Sequence, residues 1–115
     1  MPHYLIQASI TPAAWARLIQ DPEDRAEVMR PIIENLGGTL EAYYMAFGES
    51  DVVLLAEVPD NVTMAALAMA IAAGGAVTDT RTTVLMTVGE AQEAMRRAGA
   101  IRYVAPGARA PAGVA

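Results

Sequence analysis

Residues 3–10 read HYLIQASI, a strict alternation that sets Tyr4, Ile6, Ala8 and Ile10 on one side of an extended chain and His3, Leu5, Gln7 and Ser9 on the other. A strand with one apolar and one mixed side has to lie in a sheet whose apolar face is covered by other elements. The residues that follow supply those elements. Thr11-Pro12 joins an N-cap to a proline at the first helical position, where a missing N–H costs nothing. Trp15, Leu18 and Ile19 share the inner face of the short helix behind it. Asp21-Pro22-Glu23-Asp24 repeats the cap chemistry and predicts a second helix to about Leu36, with Val28, Met29, Ile32, Ile33 and Leu36 as its apolar stripe. Pro31 lies inside that stripe and removes the bond to the Glu27 carbonyl, which predicts a kink or an interruption.

Gly37-Gly38 closes the helix as a left-handed C-cap and opens a strand from Thr39 to Phe47. A turn at Gly48-Glu49-Ser50 and a second apolar run, Asp51 to Val58, make an antiparallel hairpin. Asp60 caps a helix from Asn61 to about Ala73. Its alanines allow close approach to a sheet, Met64, Leu67 and Ile71 fill the contact, and Gly74-Gly75 stops it. Val77 to Met86 is rich in threonine and valine and reads as the fourth strand. Thr87-Val88-Gly89-Glu90 is a capping box for a helix through Arg97. The order βαββαβ plus a helix is the ferredoxin-like α+β arrangement, a four-stranded antiparallel sheet with both main helices on one face. Residues 1–98 form this domain. Residues 99–115, mostly Ala, Gly, Pro and Arg with a brief apolar patch at Ile101, Tyr103 and Val104, form a tail that is either disordered or an arm laid on a neighbour.

Composition removes several classes of function. A chain of 115 residues with 54% hydrophobic residues is one domain. A net charge of −5 leaves no basic stripe for phosphates, so nucleic acid and anionic membranes are not expected partners. The absence of cysteine excludes a disulfide scaffold, a thiolate nucleophile, an iron–sulfur cluster and cysteine-based zinc sites. With strand-like sequence from His3 and no targeting pattern, the expected location is cytoplasmic. Asn61 to Thr78 is uncharged and about long enough to span a membrane, but its alanine content and Gly74-Gly75 make it a helix packed in the protein.

Counting by alternation puts Tyr4, Ile6, Ala8, Ala42, Ala46, Val52, Leu54 and Ala56 beneath the helices. The opposite face then carries Leu5, Met45, Phe47, Val53, Leu55 and Leu85 together with His3, Gln7, Ser9, Glu41, Tyr43, Glu57, Asp79, Arg81 and Thr83. That face is too apolar for water alone. It predicts self-association, two sheets face to face in a homodimer or higher homo-oligomer with a chamber between them.

The sequence resembles the GYD-domain family, which belongs with the dimeric α+β barrels. The resemblance rests on Tyr4-Leu5-Ile6-Gln7-Ala8, Leu36-Gly37-Gly38 followed by Leu40-Glu41-Ala42-Tyr43-Tyr44, Phe47-Gly48-Glu49 with Asp51-Val52-Val53, and Pro59-Asp60. Gly75-Ala76-Val77 and Thr82-Thr83-Val84-Leu85-Met86-Thr87 extend it to about residue 95. Ser50 stands where the motif that names the family has its tyrosine, while Gly48 and Asp51 remain, so no role that needs that phenol is carried over. The resemblance implies a fold and a dimer rather than a reaction. Related barrels include cofactor-free monooxygenases, isomerases, haem-handling proteins and small-molecule sensors.

Among side chains with chemistry, His3 is the sole histidine and the one group whose ordinary pKa suits proton transfer at neutral pH, which makes it a candidate general base. Tyr43 and Arg81 complete the candidate catalytic set, Arg81 as a clamp for a carboxylate or enolate. Gln7, Ser9, Glu41, Phe47, Glu57 and Asp79 are the candidate substrate-binding residues around them. Each has a plainer role to set beside this: a solvated edge histidine, a packed tyrosine, an arginine paired with Asp79, Glu57 or Glu41. Asp51, beside the turn, can bond backbone amides. No metal site or cofactor is expected, because a single histidine would need Glu41, Glu57 or Asp79 in a geometry that sequence does not reveal, and no phosphate loop is present. Two readings follow. One is a protein that binds a small organic molecule between paired sheets, with cofactor-independent catalysis as its enzymatic form. The other is a non-catalytic oligomerisation or accessory module.

Overall fold

The structure is a computed structural model in which residues 1–108 are described. The end of the predicted tail, residues 109–115, lies outside the described residues. Two compact units divide at Leu85/Met86. The first holds β1 (His3–Ile10), α1 (Pro12–Gln20), α2 (Arg25–Asn35), β2 (Thr39–Met45), β3 (Val52–Glu57), α3 (Asn61–Ala73) and β4 (Val77–Leu85), and the second holds α4 (Val88–Gly99). The four strands form one antiparallel sheet in the order β2-β3-β1-β4. This is the ferredoxin-like α+β fold that the sequence order predicts.

On β1 and β3 the side chains that alternation placed under the helices are buried in the core. Along β1, Tyr4, Ile6, Ala8 and Ile10 are buried and their neighbours half-buried. Met29 and Ile33 from α2, and Met64 and Leu67 from α3, complete the cluster. Each large aliphatic side chain so buried contributes roughly 1.5–3 kcal/mol. The Tyr4 hydroxyl reaches the end of the core and donates to Asn61 Oδ1 at 2.6 Å, so burying the ring strands no polar atom.

Caps explain where the elements begin. Thr11 accepts from the Ala14 amide at the start of α1, and Asp24 accepts from the Ala26 and Glu27 amides at the start of α2. Pro31 does not interrupt α2, which runs unbroken from Arg25 to Asn35. The carbonyl that loses its partner is that of Glu27, an exposed residue, so water can satisfy it. At the other end, the Gly37 amide bonds the Glu34 carbonyl and the Gly38 amide bonds the Ile33 carbonyl, the paired closure of a Schellman motif. Gly37 takes φ +84, and a Cβ on Gly38 would sit 2.2 Å from the Glu57 carbonyl oxygen. Two glycines in succession are thus required, one for conformation and one for space. In the second unit, Thr87 and Glu90 form the predicted capping box of α4, and Glu93 pairs with Arg96 and Arg97. No helix among the described residues is long and apolar enough to cross a membrane.

Two β-bulges change the faces that simple alternation assigns. On β2 the register passes from Leu40↔Ala56 to Ala42↔Leu55, leaving Glu41 as the extra residue. Ala42 and Tyr44 therefore share the open face with Leu55 and Val53, while Tyr43 and Met45 pair with Leu54 and Val52 on the helix side. The alternation count had Ala42 under the helices and Tyr43 and Met45 on the open face; the bulge exchanges them. On β4 the register slips between Gln7↔Arg81 and Ser9↔Thr78, and Asp79, in the slipped stretch, takes φ 51. Aspartate tolerates that left-handed conformation better than most residues. Asp79 has no register partner on β1, so it does not sit in line with Arg81 and Thr83 as alternation implied. Phe47 lies beyond the end of β2 and is fully exposed, outside the sheet face altogether.

Candidate functional site

The open face carries one cluster of ionisable groups. His3 begins β1 opposite Glu57 on β3, and Glu41 reaches over β3 from the bulge of β2. His3 Nδ1 lies 2.6 Å from Glu41 Oε1, and Nε2 lies 3.3 Å from Glu57 Oε1. Each of the three side chains keeps about a third of its exposure: 30% for His3, 34% for Glu41 and 31% for Glu57. The imidazole is thus held between two carboxylates, one on each nitrogen. Sequence reasoning named all three residues, and cross-strand register brings them together.

Arg81 is elsewhere on the same face, opposite Gln7. Its Nη2 donates to Ser50 Oγ at 3.4 Å, and Ser50 is buried. The expected carboxylate partner is not found: among the described residues Arg81 has no ion pair within 4.0 Å, and Glu41 and Glu57 meet His3 instead. Asp51 next to Ser50 behaves as predicted. Its Oδ2 accepts from the Ile10 amide at 2.8 Å, and its own amide bonds the Ala8 carbonyl, tying the hairpin turn to the end of β1. Gln7 and Ser9 are half-buried along β1 between these two groups of side chains.

An apolar hollow in the first unit lies on the other side of the sheet. A cavity of about 350 Å³ opens between the sheet and α1, α2 and α3, walled by Ile6, Leu18, Met29, Leu54, Leu67 and Ile71. Four alanines, Ala8, Ala14, Ala70 and Ala76, line it where larger side chains would have filled it. Its ionisable lining groups are Arg25 and Tyr43. Burial pushes the Tyr43 phenol above its ordinary pKa and the adjacent Arg25 guanidinium partly opposes that rise, so the hydroxyl remains a donor at neutral pH. Arg25 Nη1 also meets Glu23 Oε1 at 2.6 Å, which uses part of a five-donor guanidinium. Sequence reasoning missed Arg25 and the cavity. The signal available was the set of alanines at inward positions, which reads equally as close helix packing.

His3 and Arg81 thus lie on one face and Tyr43 on the other, so the three candidate catalytic residues do not converge. The sequence profile of the GYD domain matches residues 4–95. The chain belongs to the GYD-domain family. No curated protein matches it. Solved structures similar to this GYD domain include a point mutant of Rv3291c, at 20% identity and TM-score 0.48, with 76% of this chain and 52% of that one covered. FFRP-DM1 matches at 14% identity and TM-score 0.48, covering 75% of this chain and 100% of that one. The C-terminal domain of the MgtC protein from Mycobacterium tuberculosis, solved in solution, matches at 14% identity and TM-score 0.48, covering 74% and 88%. The GYD chain spans about half the length of the first of these.

Proposed function

We propose that this GYD-domain protein binds a small organic molecule whose apolar body fills the cavity between the sheet and the helices and whose acidic end meets Arg25 and Tyr43. The cavity is the observation that carries this reading. Its volume of about 350 Å³ falls in the range of small-molecule pockets, which are mostly apolar with a few polar groups that fix orientation. A guanidinium and a protonated phenol at one such wall are donors suited to a carboxylate. On the open face, by contrast, His3, Glu41 and Glu57 pair with one another and Arg81 with Ser50, as side chains do when a face serves packing. The half-buried row of Leu5, Val53, Leu55 and Leu85 on that face supports pairing with a second copy.

Decanoate and decanol, titrated calorimetrically into the full chain, test the cavity. Decanoate is expected to bind one per chain and more tightly than decanol. Arg25→Met should remove most of that difference, a loss of at least about tenfold for the acid. Ala70→Phe should abolish binding of both by filling the space. Binding unchanged in both variants would place the ligand elsewhere and end this reading.

A further inference from the structure

We propose that His3, Glu41 and Glu57 form a binding site for one divalent first-row transition ion, of the zinc, cobalt or manganese class, on the open face of the sheet. The three residues offer an imidazole nitrogen and two carboxylate oxygens, and these donor atoms lie within 4.8 Å of one another. Metal bonds of about 2.0–2.2 Å put neighbouring donors roughly 3–3.5 Å apart. An ion takes one of the two ring nitrogens, so the glutamate now on the other nitrogen has to swing to the same edge of the ring, a rotation open to the part-exposed Glu41 and Glu57 side chains while the backbone stays in register. The donor chemistry selects the class. One imidazole with two carboxylates suits borderline ions, whereas magnesium and calcium favour oxygen alone. Charge agrees with this, because two carboxylates and a neutral imidazole together balance a divalent ion.

The bulge is what makes the set. Glu41 is the residue inserted between Leu40 and Ala42, on a strand separated from β1 by the whole width of β3. Re-aiming one side chain in this way is a recurrent use of bulges. Three protein donors leave coordination positions open on the side away from the sheet. The site is independent of the helix-side cavity, and the two can succeed or fail separately.

The test uses the full chain without an affinity tag, and zinc alone as the probe. Calorimetry is expected to show a single zinc ion bound per chain, undisturbed by excess magnesium. Cobalt in its place should give ligand-field absorption of a low-symmetry site. Glu41→Gln, Glu57→Gln and His3→Gln should each weaken zinc by at least about tenfold, with melting curves confirming that the variants fold. Glu34→Gln, on the exposed side of α2, should change nothing. The proposal is overturned by an absence of saturable zinc binding up to about 1 mM, by site variants that keep the parent's affinity, or by a loss in Glu34→Gln equal to theirs.

Discussion

Gly38 illustrates how one residue can set the position of a functional group it never touches. Its Cα faces the Glu57 carbonyl so closely that a methyl there would meet the oxygen at 2.2 Å, and that oxygen belongs to the last residue of β3. Backbone has to move to admit it, since no side chain can swing aside. Gly38→Ala is expected to cost about 3 kcal/mol or more, read as a lower urea midpoint with an unchanged slope. A loss below about 0.5 kcal/mol, the size of an ordinary surface change, would show that the C-cap of α2 does not press on β3. Because Glu57 also sits in the His3 cluster, the same substitution should disturb His3 nuclear resonances while leaving those of Trp15 in place.

At the scale of elements, helix caps carry much of the folding information, and α3 offers a clean case. Asp60 accepts from the Thr63 amide at 2.8 Å and from the Thr63 hydroxyl at 2.7 Å. The amide bond, followed by that of the hydroxyl, holds the carboxyl below its ordinary pKa. A carboxyl lowered on folding stabilises the fold above its unfolded pKa, and that contribution is lost as pH falls through the folded value. Asp60→Asn keeps an acceptor but cannot titrate. Its melting temperature should fall less steeply than that of the parent as pH drops below the ordinary aspartate range; identical slopes would contradict this role. Such caps explain why the boundaries of α3 and α4 were legible from Asp60 and from Thr87 with Glu90. The bulges were not legible. Period-two counting has no means of seeing an inserted residue, so from Ala42 onward the faces on β2 were inverted, and Asp79 was placed beside Arg81. The His3 cluster could be named by residue type, but only the registers of β1, β2 and β3 show that its members meet. Likewise the alanines around the cavity carry no mark that separates a tight helix contact from a hollow.

For the molecule as a whole, the sheet separates two environments: a hollow backed by helices, and an exposed face bearing Leu5, Val53, Leu55 and Leu85. If a second copy covers that face, Leu55→Lys should convert the assembly to a monomer by placing a charge in the seam, because an unpaired buried charge is strongly unfavourable. Light scattering after gel filtration reads the mass directly, and circular dichroism checks that the fold is kept. An unchanged mass would remove this face as the seam.

Glu41 and Tyr43 are two residues apart on β2, and the inserted residue turns them to opposite sides of the sheet. One belongs to the ionisable cluster and the other to the wall of the hollow, so only the peptide units around Ala42 separate the two. One inserted residue thus lets a single short strand furnish both sides of the sheet, each with a side chain of its own.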